Sequence, residues 1–289
     1  MSTRTLQTLI PSQPTSDGAG VKLRRSLGAR QSLRLDPFLM LDEFSSDDAA
    51  DYLAGFPSHP HRGFETVTYI LDGRMRHEDH MGHVGLLESG SVQWMTAGRG
   101  IIHSEMPEQD AGRMRGFQLW INLPAAEKMK PAAYRDIPPA DIPVISLPNG
   151  GQVKIIAGSV ESAGKLVQGP VGGLSTEPIY LDVDLPALCA FSLPVPEAHN
   201  AFVYAYEGSV SVGPPEDARL VESHAAGVLS PGPLIQARAG VNGARFLLLS
   251  ARPIHEPVVQ YGPFVMNTQQ EIDQALRDYQ NGVLTEAAG

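Results

Sequence analysis

The sequence predicts an all-β protein in which two similar β-barrel domains follow one another and a short helix ends the chain. Three observations predict this fold: runs of alternating apolar and polar residues, closely spaced turn residues, and an internal repeat. The 289 residues include 29 glycines and 24 prolines, which suits a fold with many tight turns. Hydrophobic residues make up 42% of the chain, enough for cores of ordinary size.

Alternation with a period of two predicts the strands. It is found in residues 65–71, 118–122, 152–156 and 202–206. Turn signals such as Asp72-Gly73 follow such runs at short intervals, which is typical of a β-sandwich or barrel.

Helix is predicted near the C-terminus. Thr268 and Glu271 have the spacing of a capping box, in which each side chain bonds the backbone N–H of the other residue. Apolar residues follow at helical spacing before Gly282, so we expect an amphipathic helix that packs on a sheet. These residues are Ile272, Ala275, Leu276 and Tyr279.

The repeat divides the chain into two domains. Residues 67–73 resemble residues 202–208 at an offset of 135. Solenoid repeats are much shorter, about 20–50 residues, so the offset favours two fused barrels. We place the domains at 1–135 and 136–289, with the join in the proline-rich segment 137–143.

Charge and cysteine content exclude several classes of function. The formal net charge of −10 repels nucleic-acid phosphates and anionic membrane surfaces, and no apolar run approaches the ~18 residues of a membrane helix. The single cysteine, Cys189, cannot form an internal disulfide, and the N-terminus lacks a secretory signal. We therefore expect a cytoplasmic protein that binds neither nucleic acid nor membrane.

Two pairs of residues at i, i+2 spacing indicate a metal site. His59 and His61 enter one predicted strand, and His103 and Glu105 enter another. Each pair projects from one strand face, so four donors could converge inside a barrel, where a cation would offset the cost of burying them. Imidazoles with one carboxylate suit a divalent first-row metal. A single His-x-His pair, by contrast, is more often a surface pair.

Longer motifs surround these pairs. They include residues 35–38, 59–67, 93–107 and 261–268. In these motifs the sequence resembles the pirin family of the cupin superfamily, along essentially the whole chain. The resemblance implies two tandem cupin barrels of the double-stranded β-helix or jelly-roll type. It also implies a mononuclear iron in the N-terminal barrel, at the positions of His59, His61, His103 and Glu105.

Glu65 is a second candidate carboxylate. It lies at even spacing from His59 and His61, and many other cupins use that position as a ligand. The resemblance to pirin favours Glu105 as the ligand, which would leave Glu65 as an acceptor for a ligand imidazole or as a proton acceptor.

The C-terminal barrel is expected to lack a metal site. Under the repeat offsets, the four ligand positions fall on Pro194, Pro196, Ala237 and Ala239. None of these side chains can bind a metal, so we expect this barrel to be non-catalytic.

Three further histidines, His77, His80 and His83, are spaced by three residues each. We interpret them as part of a solvated hairpin loop. The alternative is that one of them lines the mouth of the pocket and contacts a polar substrate.

The resemblance implies an enzyme of the quercetin 2,3-dioxygenase type, which would cleave a flavonol with O2 and release CO. We expect Fe(II) as cofactor, although other divalent first-row metals suit the same donors. The alternative function is a non-enzymatic, iron-dependent redox sensor that acts through a protein partner. With two barrels already in contact along one chain, we expect a monomer.

Overall fold

A computed structural model describes residues 2–162 and 164–286. The chain forms two compact units. Unit C contains Met1–Gln13, Ser26–Pro37 and Ala140–Pro253; unit N contains Pro14–Arg25, Phe38–Pro139 and Ile254–Gly289. The units are thus built from several segments each, and the domain boundary placed between residues 135 and 136 stays a prediction.

The described residues form 24 strands and one α-helix, numbered in chain order. The strands are β1 (Leu6–Pro11), β2 (Gln13–Asp17), β3 (Val21–Arg25), β4 (Phe38–Ser46), β5 (Phe56–His61), β6 (Phe64–Asp72), β7 (Met75–Asp79), β8 (Val84–Leu87), β9 (Val92–Thr96), β10 (Ile101–Pro107), β11 (Met114–Asn122), β12 (Ala133–Ile137), β13 (Val144–Ser146), β14 (Gln152–Ala157), β15 (Ser159–Ser162), β16 (Lys165–Gln168), β17 (Ile179–Leu185), β18 (Ala190–Pro194), β19 (Asn200–Val212), β20 (Arg219–Glu222), β21 (Ala225–Leu229), β22 (Leu234–Ala251), β23 (Val259–Tyr261) and β24 (Phe264–Met266). The helix α1 spans Gln269–Gln280.

The predicted all-β class is confirmed, with two large sheets in unit N in addition to the two-stranded sheet of β23 and β24. One has seven strands in the order β12-β9-β6-β11-β4-β3-β2, and the other has four in the order β5-β10-β7-β8. Their named strand pairs are antiparallel. Within the part of the chain that the structure describes, hydrogen bonds do not close either of these two sheets on itself, so this unit is a jelly roll of open sheets.

Unit C is built on one nine-stranded sheet. Its main order is β1-β21-β19-β22-β17-β14-β13, with β18 on β22 and β20 on β19. The strand β22 is 18 residues long, which lets it pair with β19 along most of its length, with β18 near its start and with β17 further on.

The internal repeat corresponds to equivalent strands in the two units. In unit N, β6 lies between β9 and β11; in unit C, β19 lies between β21 and β22. The matched segments 67–73 and 202–208 lie mainly in β6 and β19. A duplicated β-domain therefore accounts for both the sequence repeat and the shared strand order.

Each unit has its own hydrophobic core. Burial of one Val, Leu, Ile or Phe side chain contributes about 1.5–3 kcal/mol, so clusters of this size stabilise the strands substantially. In unit C, residues such as Val183, Phe191, Val203, Phe246 and Leu248 form one cluster. In unit N, residues such as Leu23, Phe44, Ile70, Met75 and Met114 form another.

The predicted C-terminal helix is confirmed as α1. Thr268 accepts from the backbone N–H of Glu271, and the Glu271 side chain accepts from the Thr268 backbone, so the capping box is present. Ile272 and Ala275 are buried against Phe264 and Met266. No helix within the described residues is long and apolar enough to cross a membrane.

Arg62 follows the strand β5 directly and connects it to the C-terminal segment of unit N. Its guanidinium donates to Asp278 Oδ2 at 2.6 Å, to the Leu284 carbonyl at 2.9 Å, and to the Arg99 carbonyl. The Arg62 side chain is 4% exposed. A buried arginine needs such partners, since an unpaired charge in the interior is costly.

We expect Asp278→Asn to lower the free energy of unfolding by about 1.5–3 kcal/mol at neutral pH, because it removes a charged hydrogen-bond acceptor from Arg62. Burial opposes ionisation, but the hydrogen bonds from Arg62 and Gln274 hold the pKa of the Asp278 carboxyl below its usual value. This stabilisation is therefore present above about pH 4 and is lost as the pH falls through the lowered pKa. Urea unfolding at several pH values measures it.

The matched control is Asp273→Asn, on the same helix but exposed and bonded to Gln269. An equally large loss of unfolding free energy in Asp273→Asn would contradict the importance assigned to the Arg62–Asp278 pair. So would a loss in Asp278→Asn that does not become smaller at acidic pH.

Candidate metal centre

The register of the four-stranded sheet brings the predicted ligands together. In the β5–β10 pair, His59 lies opposite His103 and His61 opposite Ile101. The side chains of His61 and His103 are 3% and 2% exposed. Even spacing along both strands therefore places the three imidazoles on the inner face of this sheet, as the alternation predicted.

The three imidazoles meet through their Nε2 atoms. His59 Nε2 lies 2.9 Å from His61 Nε2 and 3.0 Å from His103 Nε2. A first-row ion with metal–nitrogen bonds of about 2.1 Å at right angles separates two nitrogen ligands by about 3.0 Å. The donor set and its spacing therefore fit a metal ion held by His59, His61 and His103.

The hydrogen bond of His59 leaves its Nε2 available to an ion. His59 Nδ1 lies 2.9 Å from the carbonyl oxygen of Pro57. A carbonyl only accepts, so the proton of the neutral His59 ring is on Nδ1, and Nε2 carries a lone pair.

Electrostatics favour neutral imidazoles here. Burial, together with the neighbouring His59, holds the pKa of His61 well below its usual value, and the Pro263 carbonyl offsets this only in part. Burial and the neighbouring histidines hold the pKa of His103 well below its usual value. Both rings are thus neutral at pH 7, which metal binding requires.

Glu105 is buried next to the histidines but is held by other partners. It is 2% exposed, accepts from Thr68 Oγ1 at 3.0 Å and accepts from Gln118 Nε2 at 2.9 Å. Trp120 Nε1 donates to Gln118 Oε1 at 3.2 Å and so orients the amide. Among the described residues, the group of donors that converge within 4.8 Å comprises the three histidines without Glu105.

Glu65 is in a different environment. Its Oε1 accepts from Thr96 Oγ1 at 2.7 Å and lies 4.0 Å from Lys130 Nζ. Burial raises the pKa of this carboxyl, although Thr96 and Lys130 oppose that effect. Glu65 lies on β6 in the seven-stranded sheet, whereas His59 and His61 lie on β5 in the four-stranded sheet, so even spacing across the turn does not define a common face.

Gly63 forms the turn between β5 and β6. Its φ of 90° lies in the left-handed region that favours glycine. A Cβ at this position would collide with the backbone oxygen of Val265. The Gly63 carbonyl accepts from Lys128 Nζ at 2.7 Å, and Gly63 N–H donates to the Gly98 carbonyl at 2.8 Å.

The prediction of a solvated loop is wrong for His77. This residue lies on β7, is 0% exposed, and places its Nε2 2.8 Å from His103 Nδ1. His80 and His83 are exposed, as expected for a turn. The sequence signal for this position is that Met75, His77 and Asp79 alternate with exposed residues, as in a strand with one buried face. The three-residue spacing of the histidines drew attention to a loop instead.

A cavity of about 550 Å³ adjoins the histidines. His59, His61, Gln118 and Trp120 form part of its wall, and Arg25 and Asp42 form another part. Both Arg25 nitrogens that face Asp42 donate to its carboxylate at 2.7 Å. The size and the mixture of apolar walls with a few polar groups are typical of a site for a small molecule.

Unit C has no equivalent cluster among its described residues. By the offsets of the sequence repeat, the positions matched to the ligands carry Pro194, Pro196, Ala237 and Ala239. Ala237 and Ala239 belong to the hydrophobic core. These two positions of unit C therefore contribute to hydrophobic packing, whereas the matched positions of unit N carry polar side chains.

Two jelly-roll units, one of them with converging imidazoles, define the class of protein, and sequence comparison agrees with it. Family models described as "Pirin" and "Pirin C-terminal cupin domain" match residues 20–121 and 180–285. This is a protein with two cupin domains. The chain belongs to the pirin family.

Individual relatives match nearly the whole chain. A Pseudomonas aeruginosa protein named "Putative quercetin 2,3-dioxygenase" is 53% identical, covering 94% of each chain. A "Pirin-like protein" from Caulobacter vibrioides is 50% identical, covering 98% of this chain and 99% of the other. The crystal structure of a quercetin 2,3-dioxygenase from Acinetobacter baumannii superposes with a TM-score of 0.87 at 34% identity, covering 98% and 99%.

Proposed function

We propose that this protein is a dioxygenase of the quercetin 2,3-dioxygenase type that depends on Fe(II). The observation that carries the proposal is the convergence of three buried imidazole nitrogens beside a cavity of about 550 Å³. The names of the relatives from P. aeruginosa and A. baumannii support the same type of reaction.

We assign the metal to His59, His61, His103 and Glu105. The three histidines offer neutral nitrogens, and Glu105 is the buried carboxylate on the same strand and face as His103. When bound, iron supplies Lewis acidity to a substrate oxygen and a redox centre for O2. Other divalent first-row ions suit the same donors.

The cavity walls suit a planar phenol. Met40, Phe44, Phe56 and Trp120 provide apolar surface that would contact aromatic rings and exclude water. Asp42 and Gln118 provide oxygen atoms that can accept phenolic O–H groups. A flavonol presents both features, and its cleavage would consume O2 and release CO.

Glu105 is the residue to which we assign proton acceptance, at Oε2. This atom accepts from Gln118, and the Gln118 side chain also lines the cavity, so Gln118 links the carboxylate to the space in which a substrate would bind. Thr68 and Trp120, the latter through Gln118, keep the carboxylate in one orientation. Such positioning is what proton transfer from a bound substrate requires. Glu65, bonded to Thr96, is the weaker candidate for this role.

The decisive experiment is to load the protein with Fe(II) and measure CO release and O2 uptake with quercetin. We expect both for the wild type and neither for His61→Ala, which lacks one buried imidazole. If the iron-loaded wild type releases no more CO than His61→Ala, the enzymatic proposal fails, and an iron-dependent regulator acting through a protein partner becomes the favoured function.

The two carboxylates are distinguished by Glu105→Gln and Glu65→Gln. We expect Glu105→Gln to lower kcat/KM by about 10²-fold or more and to reduce iron content, because it removes a ligand charge and the proton acceptor. Glu65→Gln should keep most of the activity, since an amide can still accept from Thr96. An equal loss in both variants, measured with metal analysis on the same samples, would contradict the assignment.

A further inference from the structure

His77 is a fully buried histidine that the proposed reaction does not use. It lies on β7 opposite Glu105 of β10, and Asp79 lies opposite His103. The His77 ring packs against the ring of Tyr134 at a centroid distance of 5.3 Å. The β7–β10 pairing and the packing on Tyr134 together hold the His77 ring against His103. His77 Nε2 lies 2.8 Å from His103 Nδ1.

The partner of His103 differs in kind from the partner of His59. The Pro57 carbonyl next to His59 Nδ1 is only an acceptor, so it allows one tautomer of the His59 ring. A neutral imidazole nitrogen can accept or donate, depending on its own tautomer. The bond between His77 and His103 can therefore run in either direction.

Without an ion, one arrangement of the ring protons satisfies both contacts of His103. His103 can carry its proton on Nε2 and donate to the lone pair of His59 Nε2, 3.0 Å away. His103 Nδ1 then accepts from His77 Nε2–H. Neutral His77 and neutral His103, each with its proton on Nε2, are thus compatible with the observed distances.

With an ion on His103 Nε2, that direction is impossible. The Nε2 lone pair must point at the metal, so the proton of His103 moves to Nδ1. His77 Nε2 must then be the acceptor, and the His77 proton moves to Nδ1. Each ring keeps one proton, so the change conserves protons and charge.

We propose that His77 is a positioning residue whose hydrogen bond to His103 reverses when the metal binds. The proposal rests on the proposed metal centre. In the metal-bound form His77 accepts the Nδ1–H of His103 and fixes the tautomer that ligates. The His77 Nδ1 atom, buried and without a hydrogen-bond partner among the described residues, has the carboxylates of Glu105, Asp136 and Asp79 nearby.

Metal affinity tests the acceptor role without relying on turnover. We expect His77→Leu to weaken Zn(II) binding about 10–100-fold in a chelator competition, the usual effect of removing such a partner. His77→Gln should retain most of the affinity, because an amide can either donate or accept. His83→Leu is the control, since this exposed histidine of the same hairpin bonds Asp79 instead of the cluster.

Imidazole nitrogen NMR on the wild type tests the reversal directly and does not depend on how the variants fold. With 15N-labelled histidine, we expect the Nε2–H form of His77 and His103 in the metal-free protein and the Nδ1–H form after Zn(II) is added. Unchanged tautomers on loading, or equal affinities for His77→Leu and wild type, overturn the proposal. Absence of Zn(II) binding by the wild type overturns the metal centre itself.

Discussion

Replacing His103 by alanine is expected to abolish the stabilisation that a bound metal gives to unit N. A ligand at 100 times its Kd stabilises the folded state by about 2.7 kcal/mol, which corresponds to roughly 5–10 °C in Tm for a unit of this size. His103 contributes one of three converging nitrogens and is also the residue that contacts His77. Calorimetry with Zn(II) or anaerobic Fe(II), and again after a chelator, measures the shift.

His83→Ala provides the control for that experiment, because His83 is exposed and lies outside the cluster. A Tm that rises with metal in His103→Ala as much as in the wild type would show that the ion binds elsewhere. Equal shifts in wild type and His83→Ala, with none in His103→Ala, are the expected pattern.

Replacing Gly63 by alanine is expected to destabilise unit N by about 2–4 kcal/mol, through a strained φ and a collision at once. The φ is 90°, and the added Cβ would overlap the Val265 backbone oxygen. Because Gly63 follows the strand of His59 and His61, relief of the overlap would also displace the histidines. We therefore expect a weaker metal affinity as well as a lower urea midpoint.

Gly112→Ala separates the two causes. Gly112 has the same φ of 90°, but a Cβ there meets no described atom within 4 Å. The expected loss is about 1–2 kcal/mol, from the left-handed backbone alone. If Gly63→Ala costs no more than Gly112→Ala, the contact with Val265 does not constrain the turn.

Local patterns in the sequence were sufficient for much of the fold. Period-two alternation predicted the strands that became β6, β11, β14 and β19, and the capping box at Thr268 predicted α1. These features depend on residues that are neighbours in the chain, so the sequence displays them directly.

The same reasoning predicted that three histidines converge, and it was less informative about the other candidate residues. His59, His61 and His103 converge because each pair of alternating positions lies on one continuous strand. Glu65 lies beyond the turn at Gly63, in another sheet, where the count of residues no longer determines the face. His77 joins the cluster through pairing between β7 and β10, which depends on the register of distant strands.

Unit N is assembled from three separate segments of the chain, which determines when its parts become available during synthesis. The chain segment after Pro253 supplies β24 and α1, and Arg62, next to His61, bonds to Asp278 and Leu284. Asp278 is synthesised 216 residues after Arg62. The pocket around the histidines therefore gains these supports only after the segment that follows Pro253 has been synthesised, so a metal ion could bind the mature pocket only from that point on.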